Sequence, residues 1–142
     1  MLNKIPSLIK PTIQTKFRVD FDWWKSQDRN WRNSLLSFLC EKHQKKYAGL
    51  TDDVQVDIVS SDTGAVKQGD GILYSLANHC ARQPGFLSTD APLVDTLFKV
   101  FVTNDNKPLS SEELSKIVGK PAETILKTIG GFNVYKGIRP AS

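Results

Sequence analysis

Between residues 104 and 131, helix start and stop signals follow one another so closely that two short helices joined by a sharp turn are the arrangement that fits best. Asn104-Asp105-Asn106-Lys107-Pro108 is a turn. Ser110-Ser111-Glu112-Glu113 then offers a capping box, in which Ser110 caps the helix and Glu113 reaches back to it. The helix opened there is expected to bury Leu114, Ile117 and Val118 and to end at Gly119. Two residues later Pro121 stands at the first position of another helix, with Ile125, Leu126 and Ile129 inward and Gly130-Gly131 as its stop. Upstream, Asp90 can cap a helix that contains Pro92 in its first turn and Val94, Leu97, Phe98 and Phe101 along one stripe. Phe132 to Arg139 reads as a terminal strand or abbreviated wing.

The run from Pro108 to Ile129 resembles the winged helix-turn-helix superfamily of bacterial regulators, and the likeness extends over residues 90–140. The glycine allows the steep turn that such a motif needs. The resemblance implies a non-enzymatic, double-stranded-DNA-binding protein acting in transcription regulation, with the third helix, residues 121–129, entering the major groove. It places Lys120, Glu123, Thr124, Lys127 and Thr128 toward solvent. Lys127 would meet a phosphate or a guanine edge, and Thr124 a thymine methyl or backbone oxygen. Lys136 and Arg139 on the wing would add backbone contacts, and Thr128 belongs to the same set. One such unit contacts few bases, so a homodimer is implied. Glu123 near the start of the third helix would repel phosphate. Winged helices also bind proteins, so a protein-interaction adaptor is the alternative.

The N-terminal half carries no comparable resemblance. Residues 1–15, with Pro6 and Pro11, read as an arm. Lys16 to Phe21 alternates as a short strand. A helix follows with Trp31, Leu35, Phe38 and Leu39 on one stripe, capped by Ser26 or Asp28 and ended by Gly49. Residues 54–59 and 65–68 read as a strand pair around a Ser60–Gly64 turn. A second helix, after Gly69-Asp70, turns Ile72, Leu73, Leu76 and Cys80 inward and stops at Gln83-Pro84-Gly85. The expected organisation is an arm (1–15), an α+β subdomain (16–88) and the winged-helix-like unit (89–142). The fold class is α+β, mainly helical with short strands.

Charge is uneven. Residues 1–50 hold ten Lys/Arg against four Asp/Glu, residues 51–92 two against six, and residues 93–142 seven against five. Basic ends could steer a polyanion, although a balance this mild also serves solubility. The chain has no apolar run long enough to span a bilayer, and Met1–Lys10 has no apolar core of a secretory signal. Two cysteines in 142 residues do not make a disulfide scaffold. A cytoplasmic protein is expected.

The two cysteines and two histidines fall in two tight pairs, Cys40 with His43 and His79 with Cys80. Cys-x-x-His is a sensible half-site for tetrahedral zinc, and two helix ends could bring the halves together as a small structural zinc protein. Against this, neighbours such as His79 and Cys80 point about 100° apart on a helix, and a Cys40–Cys80 disulfide, or small core cysteines with partly exposed histidines, explain the same residues without a cofactor. Other constellations are weaker. Asp62-Thr63-Gly64-Ala65 matches the short retroviral-type aspartic protease signature, but Ser60 and Ser61 replace the apolar strand that must precede it. Asp52, Asp53, Asp57 and Asp70 look like turn and solvent-side acids, and Gly69-Asp70-Gly71 lacks the frame of a phosphate loop. Trp23-Trp24 among Lys25, Arg29, Trp31 and Arg32 could stack on bases, though at least one of the pair should be core. Lys42, Lys45 and Lys46 read as a solvated helix end. No enzyme is expected.

Overall fold

The computed structural model describes residues 10–48, 55–59, 63–87 and 91–141. Their elements are β1 (Lys16–Val19), α1 (Phe21–Gln27), α2 (Trp31–Ser37), α3 (Glu41–Tyr47), β2 (Gln55–Val59), β3 (Val66–Asp70), α4 (Gly71–Asn78), α5 (Leu93–Thr103), β4 (Leu109–Ser110), α6 (Ser111–Val118), α7 (Ala122–Ile129) and β5 (Ile138–Pro140), with a 3-10 turn at Cys80–Arg82. The fold is α+β and mainly helical. It divides into a discontinuous unit, drawn from residues 1–29 and 87–142, and a continuous one, Asn30–Phe86. β1 and α1 thus pack with the C-terminal elements, while the sequence had grouped them with residues up to 88.

In the discontinuous unit β1 is the middle strand of an antiparallel sheet ordered β4-β1-β5, with Phe17 opposite both Leu109 and Pro140, and Val19 opposite Ile138. Phe17 and Val19 alternate inward and are fully buried. Where β4 has run out, the Asn106 side chain continues the pairing. Its Oδ1 accepts from the Val19 amide at 2.8 Å, and its Nδ2 donates to the Val19 carbonyl at 2.7 Å. Asn106 sits at φ 58°, a left-handed conformation that asparagine tolerates better than most residues. The span expected as strand from Phe132 contributes only its end, Ile138–Pro140.

The capping box is present. Ser110 Oγ accepts from the Glu113 amide at 3.2 Å, and Glu113 Oε1 accepts from the Ser110 amide at 3.0 Å. Gly119 closes α6 at φ 75°. Leu97, Phe98, Phe101, Leu114, Ile125 and Ile129 are buried as their spacing required. Ile117 is not: it is 52% exposed, and Val94, Val118 and Leu126 are half-buried. A helix of eight residues has a narrow inward stripe, and Leu114 takes it.

Lys16 Nζ lies 2.7 Å from Glu113 Oε1. This ion pair, with the Ser110 amide, holds the Glu113 carboxyl down at about 2. A depressed carboxylate stabilises the fold above the ordinary value of 4.5, and that contribution is lost as the pH falls toward about 2. Thermal midpoints of the native chain and Glu113→Gln should therefore differ most above pH 4.5 and converge on acidification. The pair is solvent-exposed, so the difference should be small.

In the continuous unit the long helix expected after residue 26 is instead two. α2 ends at Ser37, and α3 begins anew after Cys40, which is extended at φ −67°, ψ 163°. Asp28, expected to cap this helix, terminates α1 instead. Leu35, Phe38, Leu39, Tyr47, Ile72 and Leu76 are buried, whereas Trp31 is only half-buried. The Tyr47 hydroxyl lies 2.8 Å from Ser75 Oγ and donates to the Gly71 carbonyl at 3.2 Å, which ties α3 to α4. Asp70 caps α4 by accepting from the Ile72 and Leu73 amides.

Candidate metal centre

The break between α2 and α3 and the end of α4 meet at the four Cys and His residues of the chain. Cys40 is the N-cap of α3 and His43 stands in its first turn. They do not end a helix, as the sequence suggested, but begin one. α4 stops at Asn78. His79 departs from helical geometry at φ −131°, ψ −62°, and Cys80 opens the 3-10 turn. The objection that adjacent residues diverge by about 100° applies only inside a regular helix. At this break both side chains turn to the same point.

The ligand atoms of Cys40, His43, His79 and Cys80 all lie within 4.8 Å of one another. Cys40 Sγ is 3.2 Å from His43 Nδ1, 3.5 Å from His79 Nδ1 and 3.4 Å from Cys80 Sγ. Cys80 Sγ is 3.5 Å from His43 Nδ1. Tetrahedral zinc with ordinary Zn–S and Zn–N bonds spaces its ligands by about 3.3–3.8 Å. Four of the six donor pairs thus lie at 3.2–3.5 Å, near that spacing, and all six within 4.8 Å, while two thiols and two imidazoles match zinc in number and softness. All four positions come from protein, the pattern of a closed structural site and not of a catalytic one with an open position.

The surroundings fit the same chemistry. Burial pushes the Cys40 thiol up, but amide hydrogen bonds from His43 and Lys42 and a bond from the Cys80 thiol outweigh it and hold Cys40 below its usual value. Burial raises Cys80. Burial, and after it the neighbouring His79, Lys46 and Lys42, lower His43, which keeps its imidazole neutral and able to ligate. His43 stacks on Tyr47 at 6.3 Å and meets His79 edge-on at 4.5 Å.

The residues expected at a DNA surface are placed unevenly. Lys120, Thr124 and Lys127 are exposed, as is Glu123. Thr128 is half-buried, and its hydroxyl donates to the Thr124 carbonyl at 2.9 Å. Lys136 reaches Asp95 at 3.7 Å, and Arg139 reaches Asp20 at 3.2 Å while lying 4.8 Å over the Trp23 ring. Those two cations brace their own unit. Sequence reasoning did not find Phe132, 95% exposed in the turn after α7. Its signal was the Gly130-Gly131 pair directly before it. An open depression of about 320 Å³ beside it, lined in part by Val94, Lys127 and Tyr135, carries no carboxylate, histidine or cysteine.

Of the remaining candidates, Asp57 is exposed on β2 and Asp70 caps α4. Asp52, Asp53 and Asp62 lie outside the described residues. Trp24 is core, and Trp23 is half-buried against Arg139. Among the described residues no helix is long and apolar enough to cross a membrane. Comparison with family models, with curated proteins and with solved structures found no match to the chain.

Proposed function

We propose that this is a non-enzymatic zinc protein, in which one zinc ion bound by Cys40, His43, His79 and Cys80 holds residues 30–86 in their fold. The observation that carries the reading is the convergence of those four donors within 4.8 Å from two separate chain breaks. The physical need is clear. A unit of about 60 residues buries too little surface to be more than marginally stable, and a structural metal supplies folding free energy directly. A dithiol centre of this kind needs a reducing compartment, which supports a cytoplasmic location. The test is cobalt substitution of the purified chain. One equivalent should bring up the ligand-field bands of tetrahedral cobalt together with thiolate charge transfer. Weak octahedral bands alone would refute the ligand set.

For the other unit the observation favouring a second activity is the row Lys120, Thr124 and Lys127. These residues are exposed, and neither lysine has an ion-pair partner among the described residues. α6, the three-residue turn at Gly119–Pro121 and α7 support the winged helix-turn-helix reading, with α7 as the groove-facing helix of a DNA-binding regulator. Fluorescence anisotropy with a random-sequence duplex should show binding that weakens with salt. Lys120→Ala/Lys127→Ala should reduce the log–log salt slope by about 0.9 for each phosphate that is no longer neutralised. Absence of binding at low salt would overturn the DNA role and leave exposed Phe132 and Ile117 as the basis of a protein-contact role.

A further inference from the structure

Cys40 and Cys80 are unequal in a way that holding a metal does not require. Cys40 is half-buried at the mouth of α3, whereas Cys80 is only 1% exposed beneath it. Their sulfurs are 3.4 Å apart, and they are the two cysteines of the chain. A disulfide needs that gap to close to about 2.05 Å. We propose that Cys40 is a hydroperoxide-reactive thiolate and Cys80 its resolving partner, so that oxidation links them and discharges the zinc.

This rests on the zinc reading. Zinc has no redox chemistry of its own, so the electrons must come from sulfur. A zinc-bound thiol is held deprotonated, and the thiolate is the form that attacks. The Cys40 sulfur attacks one oxygen of hydrogen peroxide. The O–O bond breaks, the leaving hydroxide takes a proton to become water, and Cys40 is left as a sulfenic acid. The Cys80 thiolate then attacks the Cys40 sulfur. The S–O bond breaks, and the departing hydroxide takes a second proton to give a second water. Each thiolate has lost one electron, peroxide has gained two, and two protons have been consumed. Zinc has lost both anionic ligands. Two neutral imidazoles from His43 and His79 do not complete a tetrahedral shell, so the ion leaves as hydrated Zn²⁺. A thiol reductant returns both thiols, and added zinc restores the centre.

The geometry also decides which sulfur reacts first. Peroxide can reach Cys40 from solvent, whereas Cys80 is screened. Oxidation beyond the sulfenic acid is cut short, because the resolving sulfur is already in contact.

The experiment uses the full chain, reduced and zinc-loaded, with its zinc content measured before oxidant is added. Hydrogen peroxide is then titrated while released zinc is read with a chromophoric chelator and the protein mass is followed. The expected result is one zinc released per chain, in step with the loss of two hydrogens relative to the reduced apoprotein, reversed by thiol reductant and zinc. In a second arm the native, zinc-loaded chain is oxidised with substoichiometric peroxide in the presence of dimedone, and peptide mapping should place at least ten times more label on Cys40 than on Cys80. Zinc loading followed by retention of zinc and thiols under peroxide overturns the redox assignment and leaves the metal centre standing. Zinc release with sulfinic acids and no disulfide also overturns it, as does equal labelling of the two cysteines in the native chain. A reduced chain that takes up no zinc at the outset overturns the centre itself, and the redox assignment with it.

Discussion

Replacing Cys80 by serine is expected to strip the zinc from the chain and unfold residues 30–86 while the discontinuous unit keeps its structure. Structural zinc sites contribute about 10–16 kcal/mol of apparent binding free energy at neutral pH. Removing one of four ligands should cost roughly a quarter of that, or about two to three orders of magnitude in affinity. The unit has little to set against such a loss. Its core side chains come from short helices, and its β2–β3 ladder is a lone antiparallel pair, which is at best marginally stable by itself. Hydrogen exchange read by peptide should show loss of protection over α2, α3 and α4, with α5 to α7 unchanged. A chelator applied to the native chain should reproduce that pattern, and zinc should reverse it. Protection over α2 to α4 that survives both treatments would mean that the core holds this unit without a metal.

The second large effect belongs to the other unit. Trp24→Ala should destabilise it by about 3–5 kcal/mol, the usual cost of emptying a large aromatic site. Trp24 is 1% exposed, packs edge-on against Phe98 at 5.4 Å, and donates its indole N–H to Asp28 Oδ2 at 3.0 Å. It also explains a glycine. Gly137 has φ 75°, and a Cβ there would stand 2.9 Å from Trp24 Cβ and 3.0 Å from the Asp20 carbonyl oxygen. That carbonyl accepts from the Trp24 amide, while the Asp20 amide donates to the Gly137 carbonyl at 2.7 Å, so α1 and the approach to β5 are locked together. The adjacent Trp23→Ala is the contrast. It removes a half-exposed ring and its stacking with Arg139, worth about 0.5–1 kcal/mol. Urea denaturation followed by far-ultraviolet circular dichroism separates the two variants. Equal losses would show that Trp24 is not the keystone of this core.

Much of the discontinuous unit was legible because its signals are local. The Ser110–Glu113 box, Gly119 and Pro121 each act within a turn of their own helix, and they mark α6 and α7 to within a residue. The placing of β1 between β4 and β5 was not legible. Strand partners far apart in sequence leave no mark on the strand itself, and the alternation of Phe17 and Val19 says only that one face is buried. The stripe from Trp31 to Leu39 misled for a related reason. A helical period continues smoothly through the break at residues 38–40, because Phe38 and Leu39 are buried whichever way the chain turns.

The four residues proposed as metal ligands show the same division. Composition named all four, since the chain holds two cysteines and two histidines in two pairs. Spacing then argued against them, because it assumed that His79 and Cys80 continue a helix. The decisive fact is a backbone conformation, φ −131° and ψ −62° at His79. Its faint trace in the sequence is that Asn78 and His79 are both poor helix formers at the end of an apolar stripe. The winged-helix resemblance places Lys136 and Arg139 on a wing, against phosphate. Their acidic partners, Asp95 and Asp20, lie 41 and 119 residues away, so only the folded chain pairs them.

X-ray absorption at the zinc edge of the purified, reduced chain reads the atoms around the metal rather than the consequences of binding it. The expected first shell is two sulfurs at about 2.3 Å and two imidazole nitrogens at about 2.0–2.1 Å. A shell of oxygens, one with fewer than two sulfurs, or a chain with no stoichiometric zinc after equilibration with the ion would contradict it.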